Sequence, residues 1–205
     1  VTVSGTGEIG VAPDVADVVL GVMAQKPTAA EAQSAAATSM TAVVAAVKKS
    51  GVADKDIVTI NLNLSPVYDY GSGGSAPRLT GYQYANTVKV TVRSINSVAS
   101  VVDGAVAAGA TTVSGIIFRL DDPKAVQAQA RQLAMNDART KADALASAAG
   151  VSVKGVATIA EAAVQTNPVY YSGALDQAKA ASVSTPIQTG TTDIVVQVTV
   201  SYLIG

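Results

Sequence analysis

Apolar and polar residues alternate most cleanly at the end of the chain. Ile194, Val196, Val198, Val200, Tyr202 and Ile204 fall on one side of an extended segment, with Asp193, Gln197, Thr199 and Ser201 on the other. That period of two predicts a strand buried on one face. Residues 57–70 alternate through Val58, Ile60, Leu62 and Leu64. Residues 80–93 place Tyr82, Tyr84, Val88, Val90 and Val92 opposite Gln83, Thr87, Lys89, Thr91 and Arg93. The stretch 71–79, GSGGSAPRL, lies between them and supplies a flexible tip, so the two segments predict a long hairpin. At about 3.3 Å per residue, residues 57–70 span roughly 46 Å, far beyond a usual strand. The Val-dense segment 15–24 and residues 112–120 and 153–160 add further strands, and Val1 to Glu8 starts the chain in extended form.

Three segments carry a helical period instead. Thr28 followed by Glu31 forms a capping box. The helix behind it runs to about Ser50 with Ala32, Ala36, Met40, Val43 and Val47 on one stripe, Lys48 and Lys49 near its negative end, and Gly51 as its stop. Ser94 caps a second helix that carries Val98, Val101, Val102, Ala105 and Val106 and ends at Gly109. Asp121-Asp122-Pro123 starts a third, with Pro at the first helical position. Its stripe is Val126, Ala130, Leu133, Ala134 and Leu145, with Asp137 and Lys141 as an i,i+4 pair on the wet side and Gly150 as the stop. Each helix ends on a small residue and Gly (Ser50-Gly51, Ala108-Gly109, Ala149-Gly150) before a strand. The predicted class is α+β: a mixed, largely antiparallel sheet with three helices on one face, built from helix-Gly-strand units, with a long protruding hairpin. Residues 163–191 are predicted to form a long loop, with a helical turn near 174–181. The whole of 1–205 fits a single domain, or two lobes of about 1–93 and 94–205.

Composition removes many chemistries. The chain has 205 residues, no Cys and no His, which excludes disulfides, thiol chemistry, Ser-His-Asp and Cys-His catalysis, and zinc or haem sites that need those ligands. The net charge of −1 is spread without a basic patch, so nucleic acid is not an expected partner. No run of eighteen apolar residues occurs, so no transmembrane helix is expected. Hydrophobic residues make up 49% and aromatics only 4%, so the core must be built from small and β-branched side chains.

The remaining motifs have ordinary structural readings. Gly5-Thr6-Gly7-Glu8-Ile9-Gly10 matches G-x-G-x-x-G, but Pro13 and a Val-rich strand follow it where a dinucleotide site needs a helix. A strand or bulge is expected there and no cofactor. The glycines at 71, 73 and 74 lack the Lys-Ser/Thr of a phosphate loop. Asp54/Asp56 and Asp121/Asp122 are the close acid pairs. They could serve a carboxylate hydrolase or a metal only if brought into a pocket with other polar groups, and their place beside turns predicts caps instead. No catalytic, cofactor or metal residue is assigned.

Six of the seven tyrosines lie in two segments. Tyr68, Tyr70, Tyr82 and Tyr84 flank the hairpin tip, and Tyr170 and Tyr171 lie in the long loop. Cross-hairpin packing explains them, and so does an interface, where Tyr is enriched. These six are the candidate oligomer-interface residues, because a hairpin of this length needs cover for its apolar face.

An ordered set of short segments resembles the SIMPL-domain family of bacterial exported proteins. It comprises Val3-Ser4-Gly5-Thr6-Gly7, Pro13-Asp14 and Ala16, Leu20-Gly21-Val22, Thr28 to Ala32, and Lys55-Asp56-Ile57 with Thr59. It continues with Leu64-Ser65-Pro66 with Tyr68 and Tyr70, Thr80-Gly81-Tyr82 with Asn86, Val90 to Arg93, Ala107 to Ala110, Ala130-Arg131 with Lys141-Ala142, and Thr185-Pro186-Ile187. The resemblance spans nearly the whole chain. It implies a non-enzymatic envelope protein without cofactor, its partner a copy of itself in a large ring- or channel-like homo-oligomer linked to envelope stress. The implied location is periplasmic or outer-membrane associated in a Gram-negative bacterium. A removed signal peptide would fit a chain that opens at Val1. The alternative is a periplasmic small-molecule binding module with an apolar cavity between helices and sheet.

Overall fold

The computed structural model describes residues 1–70, 76–167, 169–171 and 188–205, with backbone alone for the described part of 165–171. The strands are β1 (Thr2–Val11), β2 (Val15–Lys26), β3 (Ile57–Asp69), β4 (Arg78–Val92), β5 (Thr112–Arg119), β6 (Val153–Glu161), β7 (Gln165–Asn167), β8 (Val169–Tyr171) and β9 (Thr192–Ile204). The helices are α1 (Ala29–Lys49), α2 (Val98–Ala107) and α3 (Lys124–Ala148). The α+β class is as expected, but the strands form two sheets where one was expected. One sheet has the order β1-β9-β6, with β7 also on β9; the other runs β3-β4-β2-β5-β8. Two apolar faces of different width need two separate covers, and the helices divide between them: α3 packs on β1 and β9, and α1 on β2 and β4.

The backbone divides into two compact units. One comprises Val1–Pro13, Arg119–Val169 and Thr189–Gly205, counting described residues; the other is Asp14–Phe118 with the described part of Tyr170–Gln188. Each has its own core. In the second unit, Ala16, Val18, Leu20 and Val22 of β2 and Val88, Val90 and Val92 of β4 meet Ala36, Met40, Val43 and Val47 of α1 and Val98, Val101, Val102 and Ala105 of α2, with Phe118 of β5 fully buried. The α1 stripe is the predicted one. Its capping box forms: the Thr28 hydroxyl accepts from the Glu31 N–H at 3.3 Å, and the Glu31 carboxylate accepts from the Thr28 N–H at 3.2 Å. Before α2 the chain makes a 3-10 turn at Ile95–Ser97, and Ser94 makes no side-chain cap bond. The three helix-ending glycines adopt φ of 94° (Gly51), 105° (Gly109) and 74° (Gly150), where residues with a Cβ are strained. The predicted turn at 174–181 and the tip residues 71–75 lie outside the described residues.

The first unit is held differently. On α3 the buried residues are Ala130, Ala134, Ala138, Ala142 and Ala146, one per turn, whereas Leu133 and Leu145 of the predicted stripe are exposed. The sheet beneath explains the inversion. A Cβ on Gly5 would lie 2.0 Å from the Ala134 carbonyl oxygen, and one on Gly7 would lie 2.0 Å from that of Ala130. The helix backbone therefore rests on the strand backbone, and only alanine fits the seam. The G-x-G of the N-terminus is a helix seat within β1, not a nucleotide loop. Across β9, Ile194, Val196, Val198, Val200 and Tyr202 complete this core as predicted, while Ile204 at its end is exposed.

Asp137 and Lys141 join this seam and do more than pair with each other. The Asp137 carboxylate accepts the Thr6 N–H at 2.8 Å and Lys141 Nζ at 2.7 Å, and Lys141 also donates to the Ser4 carbonyl at 3.1 Å. The free edge of β1 is thereby occupied by α3 side chains. Lys141 first, and then the Thr6 N–H, hold the Asp137 carboxyl below the ordinary carboxylate range.

Two outcomes are expected. Gly7→Ala should lower unfolding stability by about 1–3 kcal/mol in urea, because the helix must lift off the strand. Gly10→Ala should cost much less, since its Cβ would meet only the Asp193 carboxylate, at 3.2 Å. A folded-state pKa below the unfolded one gives stabilisation that is present above the unfolded value near 4 and disappears as pH falls through that region. The wild-type denaturation midpoint should therefore drop between about pH 5 and 3. Asp137→Asn, which keeps an acceptor for Thr6 but no charge, should flatten part of that drop.

Candidate assembly surface

The hairpin forms, but it is not a free two-stranded arm. β2 pairs with β4 from Ala16↔Val92 to Lys26↔Tyr82, and β3 pairs with the other side of β4 from Ile57↔Val90 to Asp69↔Arg78. β3 is thus an edge of the five-stranded sheet, bonded to β4 alone among the described residues. Two irregularities break its register, between Thr59 and Asn61 and between Val67 and Tyr68. The first makes Ile60 a bulge and shifts the alternation. Val58 faces Lys89, whereas Leu62 faces Asn86 and Leu64 faces Tyr84. Val58 and Leu62 therefore lie on opposite sheet faces, not on the single face that their spacing predicts.

Leu62 and Leu64 share the sheet face that α1 covers over β2 and β4. Because α1 rests on those two strands, β3 receives little cover: Leu62 is 57% exposed and Leu64 46%. Val58, Ile60 and Leu79 are also exposed. From Ile57 to Tyr68 this edge carries no charged residue. Native edges are usually shortened or charged, and contiguous exposed apolar surface marks an interaction site.

The structure places four of the six candidate tyrosines along the distal part of the β3–β4 hairpin. Tyr68 lies opposite Leu79 on the hairpin and is 44% exposed, and Tyr70 just beyond β3 is 72% exposed. Tyr82 is half-buried, with Pro66 on one side and Lys26 on the other. Tyr84, likewise half-buried, packs against the core beneath α1 between Leu64 and Ala24. Tyr170 and Tyr171 fall in β8, at the opposite edge of the same sheet, and their side chains lie outside the described residues. Leu62 and Leu64, absent from the tyrosine set, contribute as much exposed surface. The signal for them was the uncharged run up to Asp69.

The acid pairs do not converge. Asp54 pairs with Lys48 at 2.9 Å on the surface. Asp56 is buried and receives the Arg93 Nε and Nη2 protons, both at 2.8 Å. That guanidinium holds the Asp56 carboxyl below its usual range, against the upward push of burial. The pair lines a cleft of about 380 Å³ with Lys55, Thr91, Ser94 and Ser97, where the carboxylate serves as a counter-ion. Asp121 pairs with Arg119 at 3.4 Å, and Asp122 accepts the Lys124 N–H at 3.1 Å just ahead of α3, whose N-cap is Pro123. Among the described residues no three acidic side chains gather as metal ligands.

Beside α1, a shallow recess of about 440 Å³ is lined by Ala37, Met40, Thr41, Val44, Ala45, Lys48 and Asn86. The Asn86 Oδ1 is buried there with no hydrogen-bond partner among the described residues.

Comparison with known proteins adds identity. Residues 1–202 match the family described as SIMPL, a protein of unknown function (DUF541). The chain is 35% identical over 164 residues to the 26 kDa periplasmic immunogenic protein of Brucella melitensis, covering 78% of this chain and 66% of that protein. To the uncharacterized protein YggE of Escherichia coli K12 it is 32% identical over 146 residues, 71% of this chain and 58% of that one. The chain thus spans just under two-thirds of the length of the Brucella relative. The Brucella name describes periplasmic location and immunogenicity, the YggE name describes neither, and none describes a reaction. Matched over residues 1–202, the chain belongs to the SIMPL family.

Proposed function

We propose that this chain is a non-enzymatic, exported envelope protein whose role is to assemble with copies of itself into a large, closed homo-oligomer. The observation that carries this reading is the uncharged edge strand β3, with Leu62, Leu64 and Tyr68 exposed along a segment that the described helices leave bare. Burying such a strip favours association by about 25 cal/mol for each Å² of apolar surface removed from water, before the cost of ordering the partners. The periplasmic names of the Brucella relatives support an envelope location. Among the described residues no helix is long and apolar enough to cross a membrane.

A second reading, a small-molecule binding module, draws on the recess beside α1 and the unpartnered Asn86 Oδ1. That recess opens along the exposed side of α1 and does not enclose a cavity.

Light scattering after size exclusion, at two protein concentrations, tests the assembly reading. The expected particle is several times the 20.4 kDa chain mass and independent of concentration. Tyr68→Ser with Tyr82→Ser should lower its mass or make it concentration-dependent while far-ultraviolet circular dichroism stays unchanged. A monomer at both concentrations would overturn the reading. A melting temperature raised by an apolar ligand would then favour the recess, since only binding to the native state stabilises it.

A further inference from the structure

We propose that the recess beside α1 binds an uncharged, largely apolar small molecule that carries an N–H donor beside a carbonyl acceptor, and that Asn86 is the residue that recognises it. This names the ligand class for the second reading above and rests on that reading; it holds whether or not the chain assembles.

Asn86 interrupts an otherwise apolar face. β4 keeps its register against β2 without a break, so Tyr84, Asn86, Val88, Val90 and Val92 share the side that α1 covers. Asparagine is a poor strand former, and here it stands between Tyr84 and Val88, which both pack into the core. Its Oδ1 is buried, and neither end of its side-chain amide has a hydrogen-bond partner among the described residues. A buried polar group left unpaired weakens the fold and calls for a reason. Residues that lower stability without a structural return are those kept for binding.

The recess supplies the reason. The row of α1 that lines it is Ala37, Thr41 and Ala45, spaced i, i+4 and i+8 on one helix edge. Short side chains along that edge leave about 440 Å³ open beside Asn86. Leu62, opposite Asn86 on β3 and 57% exposed, continues the apolar surface. Small-molecule sites have this make-up: roughly 300–1,000 Å³, mostly apolar, with a few polar groups that fix orientation.

The polar groups around the recess select the ligand. The Thr41 hydroxyl already donates to the Ala37 carbonyl at 2.8 Å, and Lys48 pairs with Asp54 at 2.9 Å. What remains open is the Asn86 amide, which is neutral. An ion finds no unmatched charge there, and a hydrocarbon leaves the amide unpaired. A side-chain amide holds an acceptor and a donor side by side, and a half-turn about its Cβ–Cγ bond exchanges them. A lactam or primary amide complements either setting with two parallel hydrogen bonds.

Oxindole, a bicyclic lactam, and N-methyloxindole, which lacks the donor, are a matched pair of probes. In saturation-transfer NMR titrations of the whole chain, oxindole should bind about tenfold more tightly than its N-methyl analogue, because a site built to hydrogen-bond a donor rejects the molecule without it. Ala45→Phe, at an exposed position of α1, should fill the recess and abolish binding of both. Asn86→Leu should raise the melting temperature by about 2–4 °C and bring the two probes to equal affinity. A lower melting temperature for a folded Asn86→Leu chain would show that the amide serves the fold, and would overturn the proposal. Equal binding of the two probes to the wild type, blocked by Ala45→Phe, would leave the recess as an apolar site and overturn recognition by Asn86. Binding of neither probe, or binding that Ala45→Phe leaves intact, overturns the recess reading as well. Should Asn86→Leu fail to fold, the probe pair and Ala45→Phe decide alone.

Discussion

The backbone of α3 lies so close to β1 that hydrogen is the only side chain Gly5 and Gly7 can carry. Most of the first unit depends on that contact. It requires alanine at every fourth position of the facing helix, from Ala130 to Ala146, and it turns the larger Leu133 and Leu145 outward. It also brings Asp137 and Lys141 within reach of the β1 backbone, where they occupy an edge that would otherwise be open. Dispersion over a closely fitted seam replaces the bulk of large side chains, which suits a chain with few aromatics.

The second unit solves the same problem with a wider sheet and a looser result. α1 buries Ala32, Ala36, Met40, Val43 and Val47, and it lies over β2 and β4. One helix covers about two strands, given helix diameters near 10 Å and strand spacing near 4.8 Å. The third strand in line, β3, is left with exposed apolar side chains and, among the described residues, an open edge. The surface proposed for assembly thus follows from a mismatch between sheet width and helix cover. The Tyr cluster at the far end of the hairpin extends the same surface, while Tyr170 and Tyr171 belong to the other side of the sheet.

Much of the fold was legible along the chain. The Thr28–Glu31 box, the Gly stops at 51, 109 and 150, the alternation of 80–93 and the C-terminal strand are local signals. Each depends on backbone geometry or a short period, so neighbouring residues suffice to express it. The G-x-G motif was legible as a strand and not as a helix seat, since nothing near it names the helix more than a hundred residues later. The α3 stripe misled because Leu outranks Ala on any hydrophobicity scale. Which face is buried depends on how close the partner comes, and that distance is a property of β1. The bulge at Ile60 was hidden too, since a one-residue slip leaves the alternation of apolar residues intact while turning Val58 and Leu62 to opposite faces.

By itself the sequence determined the three helices and most of the strands, the Thr28–Glu31 box, the Gly stops, the lack of His and Cys chemistry, and a long apolar hairpin; the short strands β7 and β8 inside the expected loop, and the failure of Ser94 as a cap, were not readable from it. The readable features follow from composition and short-range periodicity, which a linear chain carries in full. Tertiary structure alone decided that the strands divide into two sheets, which helix covers which strands, that Asp56 is consumed by Arg93, and that β3 is an edge with no strand on its outer side among the described residues. These depend on distances between segments far apart in the chain, and packing sets those distances only when the whole fold closes.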